Sequence, residues 1–337
     1  MSDEAGWPWP EGAATGVGSL PGSDVAEAQR IILGELPDFP HLAELPGRGP
    51  GADLVGRGAG FLVDLPVELY AGRWRVAGRP GKDLRRTRDL LERDVDQLTE
   101  QAAGLRGGTV KVQAAGPWTL AASVELPIGG RLLRDHGAVR DLTASLAEGL
   151  AAHVRDVAAR LPGSTVVLQL DEPSMPAALA GRVPTESGLG TYRAVESTLA
   201  SELLRQVVDA AGVPVVVHCC APDVPLDVIR ASGAAGVALD LSLVTRLDPL
   251  GEALDAGLGL LAGAAPTLPG ARAVTSAGVA DRVRKVWREL GFPAARLAKQ
   301  VVVTPACGLA GATPAYARAV LSACRDAGRR LHEDSLS

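Results

Sequence analysis

The chain has 337 residues, a formal net charge of -5, 47% apolar content and only 3% aromatic content. That supplies one large core built from Ala, Val and Leu, at a length normal for a single α/β barrel with insertions. The absence of any block of like charges speaks against a nucleic-acid partner, and the absence of a run of about eighteen apolar residues speaks against a membrane span.

The opening MSDEAGWPWPEG is acidic and lacks the basic region and apolar stretch of a secretory signal, so the default expectation is a cytoplasmic location. Residues 1–14 read as an N-terminal extension, 15–332 as one catalytic barrel and 333–337 as a tail.

In chain order, the first apolar run is TGVGSLPG (15–22), with Gly18 and Ser19 at its end, followed by a helical pattern over 24–36. Two readings fit Gly18-Ser19. One is a tight turn with Ser23 or Asp24 capping the helix, and the other is a backbone N–H and hydroxyl that hold an anion such as a carboxylate. The second run is GAGFLVDLP (58–66), ending in Asp64 with Glu68 shortly after. Segments 37–57 and 66–82 are rich in Gly and Pro and read as long loops over the mouth of the fold. The next helical stretch, 83–105, carries Arg85, Arg86 and Arg88 beside Glu92, the pattern of a solvated helix face.

The third run, TVKVQAAGP (109–117), leads into Trp118, and the fourth, STVVLQLDEP (164–173), ends Asp171-Glu172-Pro173. That carboxylate pair fits either a cap of the next helix or a functional pair held on a loop by Pro173 and Pro176. The fifth run, VPVVVHCCAP (213–222), ends in His218, Cys219 and Cys220. The sixth, AAGVALDLS (234–242), carries Asp240, the seventh, LGLLAGAAP (258–266), ends blandly, and the eighth, QVVVTPACG (300–308), ends Cys307-Gly308. Helical patterns over 138–161, 189–211, 224–232, 247–256, 276–290 and 314–332 separate them.

Eight strand–helix alternations predict a single (β/α)8 TIM barrel with long loops over its C-terminal face. Active sites of such barrels lie at the C-terminal ends of the strands, where seven of these eight runs carry polar or soft side chains. Strand side chains alternate, so His218 and Cys220 point one way and Cys219 the other. With Cys307 they form a set of two thiols and one imidazole, which favours zinc, and Asp240 is a candidate fourth, displaceable ligand. The four cysteines of this chain fit metal chemistry better than a disulfide framework. The bland alternative for Cys220 and Cys307 is that each is a small buried hydrophobe.

Five motifs in order resemble the catalytic, C-terminal half of cobalamin-independent methionine synthase. They are Gly18-Ser19 with Pro21, Gly116-Pro117 with Thr119, Asp171-Glu172-Pro173, His218-x-Cys220, and Cys307-Gly308-Leu309. The resemblance implies a barrel in which zinc activates the thiol of homocysteine for attack on the methyl group of a methyl-folate. By carry-over, His218, Cys220 and Cys307 are zinc ligands, Ser19 holds the homocysteine carboxylate, and Asp171 holds its amine. Asp240 stands where the family has a glutamate ligand, and Asp64 or Glu68 matches its acidic substrate contact. Ser123 stands where a tryptophan lies against the pterin, with Trp118 a substitute, and Ala177 replaces a glutamate near the folate. The family's second, N-terminal barrel has no counterpart in these 337 residues.

The leading expectation is a zinc-dependent methyltransferase that makes methionine from homocysteine. Asp171 and Asp240 are its candidate catalytic groups; Gly18, Ser19, Asp64, Glu68, Trp118, Asp171 and Glu172 are its candidate substrate contacts. The donor is a methyl-folate or a methyl-corrinoid, the latter on a partner protein. The alternatives are a metal-free barrel of the uroporphyrinogen-decarboxylase type and a non-catalytic relative that binds zinc or a sulfur amino acid.

Overall fold

The computed structural model describes residues 6–102, 107–271 and 273–336. Residues 1–5 of the expected extension, 103–105 of the expected helix and Ser337 of the tail lie outside the described residues.

A short antiparallel hairpin, β1 (Val67–Tyr70) and β2 (Arg73–Val76), precedes a six-stranded parallel sheet. The sheet runs in chain order through β3 (Thr109–Ala115), β4 (Thr165–Asp171), β5 (Val215–Cys219), β6 (Gly236–Asp240), β7 (Gly259–Ala265) and β8 (Val301–Pro305). Helices fill each crossover, the arrangement that lets parallel strands be buried on both faces.

Two irregular segments complete the ring. The Thr15 N–H donates to Val303 O (3.1 Å) and the Val303 N–H to Ala13 O (3.0 Å), which joins the chain start to β8. The Leu20 N–H donates to Glu44 O (2.9 Å), and the Leu42 N–H donates to Lys111 O (2.9 Å), which joins the second segment to both neighbours. The eight staves are thus segments near 13–20 and 40–45 followed by β3 to β8, a (β/α)8 barrel.

The second stave corrects the sequence expectation. Residues 58–66 are not a strand; helix Leu54–Gly60, capped by Asp53 Oδ1 on the Gly56 N–H (2.9 Å), occupies their start. Its glycines allow close packing: a Cβ at Gly58 would lie 2.8 Å from Ala115 Cβ, and one at Gly60 2.5 Å from Thr87 Cγ2. The true stave, HLAEL (41–45), lies inside a segment expected to be loop, and the expected 66–82 loop contains the β1–β2 hairpin.

The barrel interior is layered. At the N-terminal end, Trp9, Ala13, Phe39, Val167, Val216, Ala238, Leu261 and Val302 form a separate apolar cluster. Residues 7–13 therefore plug the barrel floor, and Trp9 Nε1 donates to Lys299 O (3.2 Å). Above it the same strand faces turn polar. Lys111 Nζ donates to Val17 O (2.9 Å), Gln113 Nε2 to Leu42 O (2.6 Å) and Gln169 Nε2 to Val17 O (2.8 Å). These bonds supply the carbonyls of the two irregular staves with partners that a regular ladder would have given them.

Outside, Arg86 and Arg88 donate to backbone carbonyls of the neighbouring 48–62 region, so this basic face is spent on loop anchoring. The last helix runs Pro314–Leu336, through most of the expected tail. Among the described residues no helix is long and apolar enough to cross a membrane.

Candidate active site

Parallel pairing of β4 with β5 sets Asp171 beside His218. Asp171 Oδ1 lies 2.7 Å from His218 Nδ1 and also accepts from Gln169 Nε2 at 2.7 Å. His218 is 4% exposed, and its other nitrogen, Nε2, is buried and makes no well-aligned hydrogen bond among the described residues, with only the Cys307 thiol close by. A buried polar atom without a partner is costly, so its place in the barrel mouth calls for a ligand.

Two thiols face it. His218, Cys220 and Cys307 each offer a donor atom, and these atoms lie within 4.8 Å of one another. Neither thiol is in a disulfide, and Cys307 Sγ lies 2.9 Å from Cys220 Sγ, within hydrogen-bond reach. The contact between the two sulfurs, helped by His218, holds the Cys307 thiol well below its usual range and pushes Cys220 up. Burial alone would depress His218, but Asp171 and Cys307 overrule it and lift the imidazole to about 9. Cys219 points to the opposite face, fully buried, where burial pushes its thiol up to about 12. Cys324 is buried in the last helix, away from the other three.

The donor set fits zinc. One imidazole nitrogen turned toward two sulfurs that lie in hydrogen-bond contact makes a three-ligand, borderline-soft site with a position left over.

Ser19 arrives from the first stave. The Leu309 N–H donates to Ser19 O (2.8 Å), and a Cβ at Gly308 would lie 2.1 Å from Ser19 Oγ. Gly308 is therefore what admits Ser19 next to Cys307. Gly18 is equally enclosed, with Glu44 Oε2 2.9 Å from where its Cβ would be.

Glu44 is the acid that sequence reasoning missed. It sits on the second stave, 7% exposed, and feels the charges of both Asp171 and Lys111. Burial raises its carboxyl, opposed mainly by Arg57, whose Nε donates to Glu44 Oε1 at 3.1 Å. Burial also lowers Lys111 to about 8. His41, at the start of the same short HLAEL stretch after Pro40, pairs with Lys111 across a parallel bridge.

The remaining expected residues fall elsewhere. Asp64 is exposed in a left-handed turn (φ 53), and Glu68 lies in the β1–β2 hairpin, paired with Arg75 at 2.5 Å. Neither ends a barrel strand, because the run expected to carry them is not one. Trp118 is 1% exposed and donates from Nε1 to Ala200 O (3.2 Å), so its ring packs within the wall. Glu172 is fully buried and accepts from the Trp118 N–H (2.9 Å), the Thr119 N–H (2.7 Å) and Thr119 Oγ1 (2.7 Å). It clamps the Gly-Pro-x-Thr turn to the end of β4 rather than facing a ligand. Burial lifts its carboxyl to about 7 against those three bonds.

Asp240 ends β6, but its Oδ1 accepts from the Ser242 N–H (2.8 Å) and Oγ (2.7 Å), and it is not one of the three clustered donors. A cavity of about 720 Å³ opens beside Asp240 and Ala306, and Ser123 lines another of about 600 Å³ with Trp74.

No curated protein sequence matches the chain. A B12-independent methionine synthase from Shewanella sp. W3-18-1, solved with selenomethionine, is structurally similar at TM-score 0.63 and 14% identity, covering 98% of this chain and 99% of that one. A methyltransferase from Methanosarcina mazei is similar at TM-score 0.58 and 14% identity, covering 99% and 95%. The family described as cobalamin-independent synthase, catalytic domain, matches residues 13–330. The chain therefore belongs to the cobalamin-independent methionine synthase family, whose members are methyltransferases acting on homocysteine.

Proposed function

We propose that the chain moves a methyl group from a methyl-folate to the thiol of homocysteine, with zinc held by His218, Cys220 and Cys307. The carrying observation is the buried His218 Nε2, without a well-aligned hydrogen bond, facing two free thiols, with all three donor atoms within 4.8 Å. Bound there, zinc supplies the charge that keeps a substrate thiol deprotonated at neutral pH and leaves a position for it.

The chain's own residues do the rest. Asp171 orients His218 through Nδ1 by its Oδ1, and its second oxygen, to which no described residue donates a hydrogen bond, is placed to receive an ammonium group. Glu44 adds a second negative charge on the same side of the mouth, in the role first expected of Asp64 or Glu68. Ser19 offers its hydroxyl to the carboxylate. Together these groups fix the amino acid by its backbone end, so the sulfur is presented along one line to the methyl carbon; positioning of this kind is worth several kcal/mol of barrier. Asp240 is the group that would fill the fourth position before the thiol arrives, and to do so its carboxylate must leave Ser242. The product-like selenomethionine held by the Shewanella relative agrees with an amino-acid site of this kind.

The test is zinc content followed by turnover. The purified chain is expected to hold about one zinc, lost in Cys220→Ser and Cys307→Ser and kept in Cys219→Ser and Cys324→Ser. Methionine should form from homocysteine and 5-methyltetrahydrofolate. Zinc-loaded protein that binds homocysteine yet yields no methionine with that donor, while a methyl-corrinoid supports turnover, would overturn the donor assignment. Protein that takes up no zinc would overturn the whole reading.

A further inference from the structure

Arg57 sits on the Gly-rich helix Leu54–Gly60, yet it is 1% exposed. It lies between two acids. Its Nε donates to Glu44 Oε1 at 3.1 Å, and its Nη1 makes a very short contact to Asp94 Oδ2. Asp94, itself fully buried on helix Lys82–Gln101, is gripped from the other side by Arg48, with Nη1 on Oδ1 and Nη2 on Oδ2, both at 2.7 Å. The result is a buried chain of alternating charge, Arg48–Asp94–Arg57–Glu44, that runs from the outer helix layer to the barrel mouth.

Such a chain is a poor device for stability alone. Each charge taken out of water costs several kcal/mol, and well-packed apolar residues of similar volume often do as well. What the chain does supply is a fixed position. Asp94, itself held by Arg48 of the turn after the second stave, fixes the Arg57 guanidinium, and that guanidinium holds one oxygen of Glu44. The other oxygen, Oε2, is left near Gly18, with Gln113 beside it. The Glu44 backbone is held on both sides, its N–H by Gly18 O (3.2 Å) and its O by the Leu20 N–H (2.9 Å), so the direction of its side chain is what remains for Arg57 to set.

We propose that Arg57 is a positioning residue for substrate binding: anchored by Asp94 and Arg48, it aims the Glu44 carboxylate at the ammonium group of the amino-acid substrate. The inference rests on the homocysteine reading given above. It adds that the amino-end pocket is built from outside the barrel, by residues that never touch the substrate.

The test is a double-mutant cycle on the zinc-loaded chain, read as KM for homocysteine and kcat separately. Arg57→Met should raise the KM for homocysteine roughly tenfold or more, with kcat changed far less, because a charged hydrogen bond to the bound amine loses its aim. Glu44→Gln should raise it similarly, and the double variant should be no worse than Glu44→Gln alone. Arg57→Lys, which keeps the charge but not the fork, should recover part of the loss. Zinc content should stay at the wild-type level throughout. Should Arg57→Met fail to fold, Arg57→Lys in the wild-type and Glu44→Gln backgrounds carries the same comparison. Additive effects in the cycle, or an unchanged KM in the Arg57 variants, would overturn the inference while leaving the methyltransferase reading in place. Zinc-loaded wild type that binds no homocysteine would instead overturn the reading it rests on.

Discussion

Asp171 and His218 are register partners on adjacent parallel strands, and the carboxylate grips the imidazole at 2.7 Å. That pairing turns Nδ1 toward the carboxylate and leaves Nε2 for the thiols. A carboxylate behind a ligating histidine fixes its tautomer and raises its basicity, and losing it typically costs 10–100-fold in metal affinity. Asp171→Ala should therefore weaken zinc binding by roughly that factor, measured by competition against a chromogenic chelator. Asp171→Asn, which keeps an acceptor but no charge, should fall between. An unchanged affinity in both would mean the pair does not tune the site.

The approach of Ser19 to Gly308 gives a second, purely steric prediction. Gly308→Ala would place a methyl carbon 2.1 Å from Ser19 Oγ, far inside contact distance. The serine must move, so homocysteine binding should weaken to about the level of Ser19→Ala, while zinc content stays unchanged. Isothermal titration with homocysteine checks this. Wild-type affinity in Gly308→Ala would remove Ser19 from the substrate site.

Much of this was legible because strand–helix alternation and strand-end chemistry both leave marks in the sequence. Runs 109–117, 164–173, 213–222, 234–242, 258–266 and 300–308 contain β3 to β8, since strands buried on both faces are written in Val, Leu and Ala. His218, Cys220 and Cys307 converge because period-two spacing and the shared rim of a barrel determine where they point. The second stave was not legible. His41 and Glu44 interrupt the apolar residues of 41–45 with buried polar side chains, so the segment lacks the apolar run that marks a strand, while GAGFLVDLP (58–66), which begins in the glycine helix, imitates one. Glu172 and Trp118 show a different limit. Sequence places them at the rim, but whether a rim residue faces the mouth or the wall depends on the turn after the strand, and here Glu172 itself folds that turn.

Glu172 supports the third prediction. It accepts three hydrogen bonds that join the end of β4 to the turn after β3. Removing a buried acceptor leaves each donor without a partner, at roughly 1–3 kcal/mol apiece before relaxation. Glu172→Ala should lower unfolding stability by about 3 kcal/mol or more in urea titrations. Gly116 packs directly against the carboxylate, a Cβ there lying 2.4 Å from Glu172 Oε1, and has no side chain with which to fill the space left. A loss under about 1 kcal/mol would show that water enters and replaces the carboxylate.

His41, together with the half-buried His153, makes the fold sensitive to acid. The His41 imidazole is 1% exposed, with Nδ1 on Leu42 O at 3.0 Å and Nε2 without a partner. Burial, with the charge of Lys111 second, lowers it from 6.5 to about 3, against the Leu42 bond that favours the proton. The unfolded chain thus takes up a proton near 6.5 that the folded chain refuses until about 3. The stability contributed by neutral His41 is full above pH 6.5 and is lost progressively as pH falls through that window. One proton is worth about 1.4 kcal/mol per pH unit, so the loss reaches about 2 kcal/mol by about pH 5. His41→Gln keeps a donor for Leu42 O and has nothing to titrate. Its stability, measured by urea unfolding from about pH 7 to pH 5, should fall less steeply than that of the wild type by about that amount. Parallel curves for the two proteins would mean that His41 already carries its proton in the folded barrel.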